Sequence, residues 1–145
     1  MLVNYYQESP LLKKFDPDII NETRIMAKSK RLIHHILIGY DGSNLRVRPD
    51  RTMDDALSLA LKVSEQYSSG ESFSLLAEKY SDDPSVYKNS GSIGWIQWGA
   101  TTPEFQFSAF TLVVGELSDP VLTDFGYHLI LVTDSRPSDL YFVPD

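Results

Sequence analysis

The segment Leu32-Ile33-His34-His35-Ile36-Leu37-Ile38 constrains this chain more than any other. Its β-branched content and its bounds at Gly39 and Asp41-Gly42 make it a strand. The apolar residues are consecutive rather than alternating, so both sides of the strand must meet protein. Such a strand is central, and the rest of the chain has to supply its neighbours and a layer on each face. A second apolar stretch, residues 126–133, carries His128 among Leu129, Ile130 and Val132, as the first carries His35. An imidazole set into an apolar strand is costly unless its nitrogens are bonded. Two of them read as residues on neighbouring strands sharing one polar network, either as satisfied core histidines or as part of a site.

The intervening sequence alternates helix and strand signals. Thr52 stands three before Asp55 and approximates a capping box, followed at helical spacing by Ala56, Leu59, Ala60, Val63 and Tyr67 up to Gly70. Ser72 opens a second helix with Phe73, Leu76, Ala77 and Tyr80 on one face. Ser81-Asp82-Asp83-Pro84 breaks it, with a short turn or helix through Tyr87. Residues 91–99 form a glycine-punctuated strand. Thr102 and Pro103 are a cap and first-turn pair for a helix carrying Phe105, Ala109 and Leu112, which stops at Gly115. Pro120-Val121-Leu122 is a short strand, joined to the last one by the turn Thr123-Asp124-Phe125-Gly126. Residues 1–29 form a lead-in, where Pro17 opens a short helix, and residues 137–145 a tail. The order β-α-α-turn-β-α-β-β contains no regular βαβ repeat, which predicts an α+β domain with an antiparallel sheet over residues 30–136.

Composition narrows the chemistry. With 145 residues, 42% of them hydrophobic, the chain can build one ordinary core. It has no cysteine, so disulfides, thiol nucleophiles and thiolate metal sites are excluded. The net charge of −7 argues against nucleic acid or an anionic membrane as partner. His34 and His35 point to opposite faces of their strand and no HxH or HxxxH spacing is present, so no metal is expected. There is no G-x-S-x-G elbow, and Gly91-Ser92-Ile93-Gly94 lacks the Lys-Ser/Thr of a phosphate loop. Arg46, Arg48 and Arg51 read as a solvated loop.

Taken in order, His35-Ile36-Leu37-Ile38, Phe73-x-x-Leu76-Ala77-x-x-Tyr80-Ser81-Asp82-Asp83, Gly91-Ser92-Ile93-Gly94-Trp95, Phe105-x-x-x-Ala109-Phe110, and Gly115-Glu116-Leu117-Ser118-x-Pro120-Val121-x-Thr123-x-Phe125-Gly126-Tyr127-His128 form a series. Over residues 31–134 that series resembles the parvulin-type peptidyl-prolyl cis/trans isomerases, and its Phe-Gly-Tyr-His ending resembles their bacterial foldase branch, the SurA and PrsA type.

The resemblance implies a parvulin (FKBP-like) fold, with a four-stranded antiparallel sheet and about four helices, and catalysis of X-Pro rotation without a cofactor. By the same resemblance, His35, His128 and Thr123 fall on a hydrogen-bonded network under the site. Asp83 takes a position held by cysteine or aspartate, where it acts electrostatically; as an isolated residue it reads equally as a cap beside Pro84. The proline pocket falls on Ile93, Thr101 and Phe105, with Trp95 and Phe125 as further substrate contacts. Trp98 and Phe107 either extend this groove or belong to the core. Thr101 replaces the usual methionine and Ser92 a usual aspartate, which leaves a catalytically weak peptide-binding module of a larger chaperone as the alternative. Partners are then proline-containing and unfolded polypeptides, met by the domain as a monomer. Val3-Asn4-Tyr5-Tyr6 resembles the approach to this domain in larger foldases, which places it in the periplasm or cell envelope if exported and in the cytoplasm otherwise.

Overall fold

The computed structural model describes residues 28–138. Residues 1–27, where a helix is expected at Pro17, and the tail beyond Ser138 lie outside them. Eight elements follow in order: β1 (Ser29–Ile38), α1 (Met53–Ser68), α2 (Phe73–Tyr80), α3 (Val86–Asn89), β2 (Ser92–Gln97), α4 (Pro103–Thr111), β3 (Val121–Thr123) and β4 (Gly126–Pro137). The strands make one antiparallel sheet in the order β2-β1-β4-β3. The two central strands, β1 and β4, are longer than the apolar runs that mark them, because their polar ends pair with each other from Ser29–Pro137 inward.

β1 is central and buried on both sides, as its composition requires. Ile36 and Ile38, with Leu129 and Leu131 of β4, pack under Ala56, Ala60 and Val63 of α1 and Phe73, Leu76 and Ala77 of α2. Ile33, Ile130 and Val132 face the other way, against Phe105, Ala109 and Phe110 of α4 and Leu112 after it. The period of two in a strand produces this division. Trp98 stacks edge-on with Phe110 at 5.3 Å and Phe107 is buried, so both belong to the core.

Helix starts follow the sequence with one exception, and α4 ends at Thr111, short of the stop expected at Gly115. Thr52 Oγ1 accepts the Asp55 N–H and Ser72 Oγ accepts the Leu75 N–H, each satisfying a donor the helix leaves open. Thr102 precedes α4 with extended backbone, yet its side chain makes no capping bond. At the other end of α4, the buried Arg31 of β1 donates from Nη1 to Ala109 O at 2.8 Å and to Leu112 O. A cation on the carbonyl end of a helix opposes its dipole and fixes α4 to the sheet.

Two glycines are required by close approach. A Cβ on Gly126 (φ +134°) would lie 2.5 Å from Ile38 O, and one on Gly91 (φ +93°) would lie 2.9 Å from His35 O. Both carry a φ that other residues avoid. Gly91 O in turn accepts the His35 N–H at 2.8 Å, which seats the first strand histidine.

Arg51 departs from the solvated role expected of its loop. Arg46 and Arg48 are exposed, but Arg51 is partly buried and paired with Asp82 at 2.6 Å.

Candidate active site

β1 and β4 bring the two strand histidines together on the α4 side of the sheet. His35 pairs with Ile130 and His128 with Leu37, so the histidines are diagonal neighbours. Their rings stack at 5.4 Å between centroids, inclined by 22°. Phe105, on the first turn of α4, sits edge-on to both, at 5.9 Å from His35 and 5.2 Å from His128.

A chain of hydrogen bonds runs through the buried pair. Asp83 Oδ2 lies 2.7 Å from His35 Nε2, His35 Nδ1 lies 3.2 Å from His128 Nδ1, and His128 Nε2 lies 2.7 Å from Thr123 Oγ1. The Phe125 N–H donates to Thr123 Oγ1 at 3.2 Å. At the other end, the Ser85 N–H and hydroxyl both donate to Asp83 Oδ1 at 2.9 Å.

The electrostatics orient that chain. The hydrogen bond from His35 holds the Asp83 carboxyl well below the usual carboxylate range, against its desolvation, and the Ser85 donors act in the same direction. Burial, with His35 beside it, pushes the His128 imidazole down to about 3. With Asp83 ionised and His128 neutral, two assignments satisfy every bond, and in both the His35 Nε2–H donates to the carboxylate. In one, Thr123 Oγ–H donates to His128 Nε2 and His128 Nδ1–H to His35 Nδ1; in the other, His35 Nδ1–H donates to His128 Nδ1 and His128 Nε2–H to Thr123 Oγ. In either, the four groups form a continuous hydrogen-bonded row ending on a negative charge.

This row underlies a cavity of about 480 Å³. Ile93, Thr101 and Phe105 line one side, Phe125 and Leu45 also line it, and His35, His128 and Asp83 contribute to its wall. Of the nine site residues expected from sequence, seven line the cavity and Thr123 stands behind His128.

Trp95 does not belong with them. It pairs with Leu32, is exposed, and lies under Lys30 and Arg136, whose charged groups are 5.8 and 4.7 Å from its ring. The cause is a bulge. Ile33 pairs with Gly94 and His34 with Ser92, so Ile93 is an extra residue and the inside-outside alternation shifts after it. Ile96 and Trp98, not Trp95, then pack with the α4 layer alongside Ile93.

Leu37, Leu45, Pro84, Ala100 and Thr102 also line the cavity and were missed. Pro84 was signalled by its place after Asp83, and Leu45 by being an apolar residue in an otherwise polar loop. Ser92 Oγ is engaged locally, accepting the Gly94 N–H at 3.4 Å. Among the described residues no group of His, Asp and Glu is arranged to hold a metal, and no helix is long and apolar enough to cross a membrane.

Residues 35–134 match the family model described as "Rotamase: PPIC-type PPIASE domain". The chain is 42% identical over 97 residues to the foldase protein PrsA of Geobacillus kaustophilus, covering 67% of this chain and 34% of the relative. It is 36% identical over 119 residues to the chaperone SurA of Chromohalobacter salexigens, covering 82% of this chain and 25% of the relative. The chain thus spans a quarter to a third of the length of these relatives. Among solved structures, NmPin, the parvulin of Nitrosopumilus maritimus, superposes with a TM-score of 0.58 at 32% identity, covering 73% of this chain and 97% of that one.

Proposed function

The chain belongs to the PPIC-type peptidyl-prolyl isomerase family, and from that premise we propose that residues 30–136 rotate X-Pro bonds of unfolded or folding polypeptides in this cavity. One observation carries the reading: an apolar wall of Ile93 and Phe105 adjoins a hydrogen-bonded row ending on an ionised Asp83.

The chemistry asks for little else. An X-Pro bond resists rotation by about 18–20 kcal/mol because of amide resonance. Uncatalysed exchange takes on the order of tens to hundreds of seconds. No covalent bond has to break, so neither a nucleophile nor a metal is needed. The catalyst has to bind the twisted amide better than either planar form. In the proposed pose the proline ring rests on Phe105 and Ile93, and the amide lies over the histidines. Apolar walls strip water from the amide, which weakens the charge-separated resonance form. Asp83 acts as a fixed charge and acceptor, and His35, His128 and Thr123 hold it and one another in place.

Exchange spectroscopy on Ala-Pro peptides tests this directly. Cis/trans exchange is expected to accelerate at micromolar protein, and a rate equal to background overturns the reading.

Thr101 supports a second reading, in which the domain mainly binds peptide as a module of a larger chaperone. Its hydroxyl is a polar group in an otherwise apolar wall. Thr101→Met is expected to raise kcat/KM by about fourfold to fifteenfold, the effect of one or two added methylene-sized contacts at about 0.8 kcal/mol each. Activity found only in the variant would make the natural domain a binder. The relatives named foldase and chaperone support an exported setting, in which the domain works in the cell envelope on unfolded clients.

A further inference from the structure

The loop between β1 and α1 is tied down at its base and at its tip, and the base falls on the residue next to Asp83. Arg51 Nη1 donates to Asp82 Oδ2 at 2.6 Å and to Gly39 O at 3.0 Å. The same Asp82 oxygen accepts the Gly39 N–H at 2.8 Å, and the Asp82 N–H donates to Leu37 O at 2.7 Å. The Asp41 N–H donates to Arg51 O at 2.9 Å and closes the neck of the loop. At the tip, the Asn44 N–H donates to Asp124 O at 2.7 Å, beside Phe125. Leu45, next to that tie, lines the cavity, whereas Arg51 and Asp82 do not.

We propose that Arg51 and Asp82 are positioning residues, which set the Asp83–His35 contact and hold Leu45 against the cavity. The proposal rests on reading the cavity as the isomerase site. Two carboxylates stand consecutively in the chain, and each has its own donor: Arg51 for Asp82 and His35 for Asp83. Only about a quarter of either Arg51 or Asp82 is exposed. Removing the guanidinium leaves a partly buried carboxylate without its cation, which is costly. The turn then rearranges to bring Asp82 to water or to compete for His35. Asp83 is the next residue and cannot keep its place through that change. Both bonds leave Arg51 from the same nitrogen. A lysine ammonium can therefore stand in for it here, although the two side chains are not interchangeable where the fork is used.

Arg51→Met, Arg51→Lys and Arg48→Ala, the last a change at an exposed position of the same loop, test this together. The readouts are kcat and KM on an Ala-Pro peptide and the side-chain nitrogen resonances of His35 without peptide. Arg51→Met is expected to lower kcat about tenfold through misplacement of the charged group, with KM changed less than about twofold because the proline wall is untouched. The same variant should move the His35 Nε2 resonance away from its carboxylate-bonded position. Arg51→Lys should restore both readouts, and Arg48→Ala should leave them unchanged. Unmoved His35 resonances in a folded Arg51→Met protein overturn the proposal. If Arg51→Met does not fold, Asp82→Asn carries the same two readouts. If the wild type accelerates no peptide, the isomerase reading fails on its own, and the His35 resonances still decide whether Arg51 positions the contact.

Discussion

Phe105→Ala is expected to have the largest effect of any single substitution on both activity and stability. The ring is 4% exposed, contacts the stacked histidines edge-on, and packs with Ile33, Ala109 and Phe110. Truncating a buried phenylalanine costs about 3–5 kcal/mol, partly for the lost transfer and partly for the cavity left behind. In the proposed pose the same ring carries the proline, so kcat/KM should fall by about tenfold to hundredfold even where the protein remains folded. The two losses can be separated by assaying well below the melting temperature, with Phe105→Leu as companion. Leucine keeps most of the packing but removes the flat face. It should recover the greater part of the stability and the smaller part of the activity. Unchanged kinetics in the alanine variant would take Phe105 out of the substrate wall.

Acid is expected to weaken the fold first through His128. Its imidazole is pushed from an ordinary 6.5 down to about 3 by burial and by His35. Below pH 6.5 the unfolded chain binds a proton that the native chain refuses until about pH 3, so the stabilisation is complete above 6.5 and is lost across that interval. The slope is about 1.4 kcal/mol per pH unit and the total on the order of 4–5 kcal/mol. Asp83 has the opposite chemistry but the same outcome at lower pH. Its carboxyl is depressed, so its contribution is intact above about 4, near the ordinary carboxylate value, and lost as pH falls further. His34, next to His35 but on the opposite face of β1 against Phe73, is also lowered by burial and adds to the same trend. Denaturant midpoints at pH 7, 5.5 and 4.5 should fall steadily in the wild type and much less in His128→Asn. An equal slope in both proteins would show that His128 is not the group responsible.

The readability of this chain depended on the range over which each signal acts. β1 was legible because seven consecutive residues carry its burial, and the interior of β4 because Gly126 and the apolar residues after it do so locally. The Thr52 and Ser72 caps were legible because a cap and its partner lie three residues apart. Trp95 falls on the wrong face because a bulge depends on how two strands pair, and the local signal for it is Gly94, inside β2 at φ +81° directly after Ile93. Thr102 followed the capping pattern, yet lines the cavity without making the cap bond. Arg51 was read as solvated because its partner, Asp82, is 31 positions away and no periodicity links them. The candidate site was legible only as a series of motifs. The histidines alone were compatible with an ordinary core, and their connection to Asp83 and Thr123 depends on contacts across the sheet.

The pairing of Ser29 with Pro137, together with the Ser138 N–H on Lys28 O at 2.8 Å, puts the two ends of the fold side by side on antiparallel strands. Tension applied through those ends would pull β1 and β4 apart like a zipper, opening one rung after another, rather than sliding them past each other with all rungs loaded at once. The fold therefore offers little mechanical resistance along this axis. The first rungs to open lie at the end of the sheet that carries Lys30 and Arg136, while the rungs at His35 and His128 open late. Force from a moving client or a neighbouring segment would fray the polar margin of the sheet well before it disturbed the histidine pair.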